Sequence, residues 1–237
     1  MNPKCVKQFV PLSNAEVNRM RRFAIIGHRA MSQGKLPLND MAGGAGRMDV
    51  LVRALMAGLL TSHGLRHDTE VVLHMMGGPG PSRRVKFVGS ELRGVHAEER
   101  AVAGHIAKVL KQPTPARGHW IERSSGIYDS GGDITHTLAD WSDSTIIALD
   151  AESPRLWTEE NTLPQSSTPH SHADGERGAF QIHGLDVAFV LSDDKPLNDE
   201  IKGALLNRSL GDVWLQGHMA VGLCHFLLDE GIDMRLD

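Results

Sequence analysis

The most specific chemical feature of this sequence is Gly46-Arg47-Met48-Asp49, which opens a strongly periodic segment. A carboxylate in the first turn of a helix is favoured by the macrodipole, whereas a cation there costs stability unless an anion sits against it. A phosphate would supply that anion, because free backbone N–H groups and the dipole both favour it at a helix start. An Arg47 turned to solvent is the plainer reading of the same spacing. Arg83, Arg84, Lys86, Arg93 and Arg100 place five cations within 18 residues, which reads as a phosphate-binding surface. A second set of positions follows three apolar runs: Leu149-Asp150, Ser192-Asp193 and Ser209-Leu210-Gly211-Asp212. In an open α/β sheet, ligands bind beyond the carboxyl ends of strands, although each of these is also an ordinary polar turn.

Other chemistries lack their signatures. There is no G-x-G-x-x-G and no G-x-x-x-x-G-K-[ST], so any cofactor must use another loop design. His170 and His172 form an H-S-H in a Ser/Thr/Pro-rich stretch, and Cys5 and Cys224 cannot build a zinc site alone, so no metal is expected. Ser62-His63 has no G-x-S-x-G beside it, which leaves covalent catalysis unsupported; His63 reads as a helix-end cap.

The elements that must position these residues follow from periodicity. Phe23–Gly27 reads as a buried strand, and the apolar positions 48, 51, 52, 55, 56, 59 and 60 form the stripe of an amphipathic helix. Strands are predicted at 71–76 and 85–88, with a helix from about Glu98 to Lys111 that Pro113 and Pro115 stop. Helix-like residues surround Leu138, and 145–150 and 187–191 read as buried parallel strands. A last helix, Gly217 to Asp229, is expected to bury Met219, Leu223, Phe226 and Leu227. Strands alternating with helices give an α/β fold with a mostly parallel sheet. Residues 1–20 read as an appendage, residues 21–237 as one domain, and 158–178, nearly devoid of apolar residues, as a mobile insertion.

Charge sharpens the picture. The net charge of -4 hides a division at Arg123: residues 1–123 hold 19 Lys+Arg against 9 Asp+Glu, and residues 124–237 hold 6 against 20. One half is therefore expected to face a polyanion. With no long apolar run and no apolar leader in the first 20 residues, membrane and secreted readings are set aside and a cytoplasmic protein is expected.

Several motifs in register resemble the archaeal tRNA pseudouridine N1-methyltransferases that act on the T-loop. They are Gly46-Arg47-Met48-Asp49-Val50-Leu51, the stretch Leu60 to Asp68, and Lys86-Phe87-Val88-Gly89-Ser90-Glu91-Leu92. Glu98-Glu99-Arg100, Gly126-Ile127, Phe189 to Asp193 and Ser209-Leu210-Gly211 follow in the family's order, and the match runs from about Arg22 to Asp229. The resemblance implies a SPOUT-type α/β fold, a mostly parallel sheet flanked by helices with a C-terminal trefoil knot, a homodimer, and S-adenosylmethionine as cofactor. Carried over by position, the cofactor residues are Leu149, Ser192, Arg208-Ser209-Leu210-Gly211-Asp212-Val213 and Ala220. The chain departs from the family at two places: Asp212 stands where a Pro is usual, and Gln216-Gly217-His218-Met219-Ala220 replaces a His-Ala-Asn/Asp-His-Cys/Thr stretch.

The implied reaction methylates N1 of pseudouridine, whose C-glycosidic bond leaves that nitrogen free. Arg47 and Asp49 are expected to act together at the substrate, with Asp49 or Asp68 as base, Arg47 also on RNA, and Arg66, Lys86 and Arg93 on phosphates. RNA affinity is then expected to fall steeply with salt. The rivals are another SPOUT RNA methyltransferase (rRNA pseudouridine N1, uridine or ribose 2′-O) and a non-catalytic RNA-binding protein whose cofactor loops have decayed.

Overall fold

The computed structural model describes residues 20–157 and 186–236. The expected N-terminal appendage, apart from Met20, and the expected insertion at 158–178 lie outside the described residues. In chain order the strands are β1 (Arg21–Gly27), a small hairpin of β2 (Leu60–Thr61) and β3 (Gly64–Leu65), β4 (Thr69–Met75), β5 (Arg83–Val88), β6 (Ile121–Ser124), β7 (Ile127–Gly131), β8 (Thr145–Leu149), β9 (Val187–Ser192) and β10 (Leu206–Arg208). The helices are α1 (Met48–Leu59), α2 (Glu99–Leu110), α3 (Ile134–Asp140), α4 (Asp199–Ala204) and α5 (Gly217–Asp229).

The main sheet has the order β10-β8-β9-β1-β4-β5-β7-β6. Its first five strands run parallel, and β5, β7 and β6 extend it antiparallel. Successive side chains on a strand point to opposite faces, so a continuous apolar run must be covered on both. Phe23 and Ile25 accordingly pack with Leu51, Leu55, Ile106 and Val221 of α1, α2 and α5, while Ala24 and Ile26 pack with Trp141, Leu197 and Ile201 on the other face. Glu98 caps α2 by accepting from the backbone N–H groups of Arg100 and Ala101. Among the described residues no helix is long and apolar enough to cross a membrane.

Two expectations are corrected here. In α5, Met219 and Phe226 are exposed, at 52% and 45%, and Leu223 is only half-buried; Ala220, Val221, Cys224, His225, Leu227 and Leu228 face the core. The phase turns on His225, whose ring packs 4.9 Å from that of Phe23 and joins two polar groups. Arg21 Nη1 can only donate to Nδ1, at 3.3 Å, so the neutral ring donates from Nε2 to the Gly58 carbonyl at 2.9 Å. Burial, reinforced by Arg66 and Arg21, pushes the His225 pKa down to about 3.

Arg83 and Arg84 are likewise not part of a phosphate-binding surface. Both are fully buried. Arg83 forks onto Asp129, Nε at 2.7 Å and Nη2 at 2.6 Å, and donates to the carbonyls of Ser32, Val109 and Gln112. Arg84 donates to Asp140 at 2.9 Å and Thr137 at 3.0 Å and lies over the Trp120 ring. Five donors in a planar fork let a guanidinium bond several acceptors inside a protein, and although Arg84 Nε is left without a partner among the described residues, the two cations tie β5 to β7 and the helix ends.

Candidate functional site

The three strand ends singled out by topology converge. Leu149, Asp150 and Ala151 after β8, Leu191 to Asp193 at the end of β9, and Leu210, Gly211 and Val213 to Leu215 after β10 line one cleft, closed by Gly217 and Ala220 of α5. Parallel pairing of β8 with β9 and β10 puts these ends side by side. The segment after β10 is held against the loop after β8, where Ser209 N donates to the Pro154 carbonyl at 2.8 Å and Leu156 N to the Ser209 carbonyl at 2.9 Å. Gly211 adopts φ +125°, which a side chain would strain. The cleft walls are mainly apolar; Asp150 and Asp193 both line it, the latter with its carboxylate buried. Burial opposes ionisation of Asp150, but Lys202 at 2.8 Å and Ser153 at 2.9 Å outweigh it and hold the carboxyl below its ordinary range.

Of the positions expected to hold a cofactor, Leu149, Ser192, Leu210, Gly211, Val213 and Ala220 line this cleft. Arg208, Ser209 and Asp212 do not have side chains there. Arg208 donates to the carbonyls of Arg235 and Asn207, Ser209 Oγ accepts from Gly211 N, and Asp212 is 90% exposed and pairs with Arg155. Leu191, Pro196, Leu197, Trp214 and Leu215 also line it, and in the sequence nothing separates such residues from ordinary core or loop.

Arg47 sits at the N-cap of α1 with φ 69° and ψ 31°, an uncommon conformation for a residue with a side chain. Gly46 before it has φ +64°, and a Cβ there would lie 1.8 Å from the Arg29 carbonyl oxygen. The anion that a cation at this terminus requires is supplied internally. Arg47 forks onto Asp49, Nε at 3.0 Å and Nη2 at 3.3 Å, and its Nη1 is 3.6 Å from Asp194. The hydrogen bond that Arg47 donates to Asp49 is the main cause that raises the Arg47 pKa. Asp49 is buried and also faces Arg53 at 3.7 Å. Asp194 continues from the β9 end that lines the cleft, so the Arg47–Asp49 pair stands beside it.

The remaining expected positions are not brought together. Asp68 precedes β4 and pairs with Arg21 at 3.1 Å, at the amino ends of the parallel strands, the opposite edge of the sheet from Asp193. Arg66 is at that same edge, forked onto Asp229 at 3.1 and 2.7 Å. Lys86 is caged by the Trp120 and Tyr128 rings and lies 4.0 Å from Glu70. Arg93 donates to the backbone carbonyls of Ser90 and Leu92. His63 lies in the turn of the β2–β3 hairpin, and not at a helix end. Among the described residues no cluster of three or more His, Cys, Asp or Glu is placed to hold a metal ion.

Comparison with known proteins bears on this geometry. Residues 20–153 match a family model described as "Putative SAM-dependent RNA methyltransferase". The chain is 30% identical over 221 residues to the tRNA (pseudouridine(54)-N(1))-methyltransferase of Methanosarcina acetivorans, covering 89% of this chain and 92% of that protein. It is 32% identical over 217 residues to the Haloarcula marismortui protein of the same name, covering 89% and 96%. With the Methanocella arvoryzae protein of that name the identity is 42% over 111 residues, 47% of this chain and 57% of the relative. The crystal structure of Archaeoglobus fulgidus Nep1 bound to S-adenosylhomocysteine shares the fold, with TM-score 0.54 and 12% identity, covering 89% of this chain and 98% of that one.

Proposed function

The chain belongs to the tRNA (pseudouridine(54)-N(1))-methyltransferase family, and from that membership we propose how its site works. It is an S-adenosylmethionine-dependent RNA methyltransferase of SPOUT-type fold that methylates N1 of a pseudouridine in tRNA, with the T-loop as the target region. The observation that carries the assignment of the site is the convergence of the loops after β8, β9 and β10 into one cleft with the Arg47–Asp49 fork beside it. The residues present fit the cofactor. Leu149, Leu191, Leu197, Leu210 and Leu215 offer an apolar seat for a flat base, and the Asp150 carboxylate suits hydroxyls and a cationic group. When bound, the cofactor supplies a methyl group on a positively charged sulfur.

The chain's own residues then hold the target base. Arg47 is placed to stabilise negative charge developing on the ring carbonyls, which is where a preorganised donor contributes most. Asp49, with guanidinium groups on both oxygens, positions Arg47. It does not serve as the base. Asp68, at the far edge of the sheet, does not serve as one either. Exposed Val213, Trp214, Met219 and Phe226 form apolar surface near the cleft and on α5, which supports the homodimer as this protein's assembly. The C-terminal trefoil knot and a cytoplasmic location belong to the same reading; the anchoring of Ser209 between Pro154 and Leu156 supports the former.

The test is Arg47→Ala. Methyl transfer to pseudouridine-containing tRNA is expected to be lost while S-adenosylmethionine affinity, measured by calorimetry, stays within about threefold. Unchanged turnover would remove Arg47 from the substrate site, and no cofactor binding by the wild-type protein would favour a decayed RNA-binding protein.

A further inference from the structure

Methylation of N1 requires its proton to leave, and the carboxylates near the cleft are poor acceptors. Asp49 is held by Arg47 and Arg53, Asp150 by Lys202 and Ser153, and Asp194 by Arg29 and Arg47. One group at this edge of the sheet is built differently. His28 follows the last residue of β1, and its Nδ1 lies 2.9 Å from Asp193 Oδ1. The Asp193 side chain is fully buried, and its Oδ2 accepts from the backbone N–H of His28 at 2.8 Å. Lys195 N donates to Oδ1 at 3.1 Å, and Asp193 N donates to the Ile26 carbonyl at 2.9 Å. The carboxylate is therefore held by three hydrogen bonds, and its backbone by a fourth, across the ends of β1 and β9.

A carboxylate accepts only, so His28 Nδ1 carries a proton and Nε2 of the neutral ring is a bare acceptor. Nε2 has no hydrogen-bond partner among the described residues, and the imidazole is 23% exposed, unlike the enclosed His74 and His225. Asp193 itself lines the cleft, and the Arg47–Asp194 contact is one residue away. An imidazole oriented by a buried carboxylate of a cleft-lining residue, with its other nitrogen unpartnered, is the arrangement of a general base.

We propose that His28 is the proton acceptor of the reaction, positioned by Asp193, an inference that rests on the methyl-transfer reading above. The N1–H bond breaks, its electron pair remains on N1 and forms the bond to the methyl carbon, and the carbon–sulfur pair stays with sulfur. The proton arrives on His28 Nε2, and the partly exposed imidazolium releases it to water. Asp193, Asp194 and Lys195 after β9, Arg47 and Asp49 at the start of α1, and the neighbouring Arg29 are the charged groups around it.

The experiment has two arms. In the first, nitrogen NMR of the free wild-type protein is expected to show His28 protonated at Nδ1 and bare at Nε2, with that preference lost in Asp193→Asn. In the second, His28→Gln is expected to lower kcat on pseudouridine-containing tRNA by about 10²–10⁴-fold and to remove the acidic limb of the pH–rate profile. KM for tRNA and cofactor affinity should stay within about threefold. A His28 protonated at Nε2, or a His28→Gln enzyme within threefold of wild-type kcat, overturns the proposal. A wild-type protein that binds cofactor but methylates no pseudouridine fails the functional reading instead, and the NMR arm still reports on the dyad.

Discussion

Replacing Asp129 by Ala separates a structural from an RNA-binding role for the paired arginines on β5. Asp129 is fully buried and takes Nε and Nη2 of Arg83 at 2.7 and 2.6 Å, with Arg123 Nε adding a bond at 3.0 Å. Without the carboxylate, Arg83 keeps its carbonyl acceptors at Ser32, Gln112 and Val109 but loses its countercharge inside the protein. Removing one partner of a buried pair costs about 3–5 kcal/mol, and the surviving carbonyl bonds place this case near about 3 kcal/mol. For a chain of this size each kcal/mol lowers Tm by about 2–4 °C, so a fall of about 6–12 °C is expected. Thermal and urea unfolding provide the measurement, with the urea slope unchanged if only stability has moved. The double variant Arg83→Met/Asp129→Leu should recover part of the loss, since an apolar pair removes the stranded charge. A Tm within about 2 °C of wild type together with weakened RNA binding would rule out the structural role and return Arg83 to the RNA surface.

The other expectations follow from the same contacts. His74 and His225 have pKa values pushed down to about 3, by burial first and then by neighbouring arginines. Between that value and the ordinary histidine value of about 6.5, the unfolded chain binds protons that the folded one does not, so stability falls as pH falls. Urea unfolding should show a loss of about 2 kcal/mol per histidine from neutrality to pH 5, and a flat profile would contradict it. Arg47→Gly should leave the unfolding free energy within about 1 kcal/mol, because relief of the positive φ offsets the lost ion pair, yet abolish methyl transfer. Gly211→Val should cost at least tenfold in S-adenosylmethionine affinity by calorimetry, since φ +125° suits glycine and the position lines the cleft.

Much of the site was legible because it depends on topology. Phe23–Gly27, Thr145–Leu149 and Val187–Ser192 are apolar runs covered on both faces, and their carboxyl ends are where a parallel sheet binds ligands. What escaped reading depends on partners distant in sequence. Strands β6 and β7 carry Glu122, Arg123, Asp129 and Ser130, and only the buried Arg83 and Arg84 opposite explain why so polar a hairpin extends the sheet. Met219 and Phe226 outweigh Cys224 and His225 in hydrophobicity, so the exposed face of α5 looked like the buried one until Phe23, Arg21 and Gly58 fixed the ring of His225. Asp68 and Asp49 are alike as sequence letters; their places at opposite edges of the sheet separate them. The His28–Asp193 dyad spans 165 positions and gave no local signal.

Methylation at N1 of pseudouridine is tested most sharply by transfer of a labelled methyl group from S-adenosylmethionine to two tRNA transcripts that differ only in pseudouridine or uridine at the T-loop target. Label is expected in the first transcript alone, recovered by nucleoside mass spectrometry as N1-methylpseudouridine. Equal labelling of both transcripts, or label on a ribose, would contradict it.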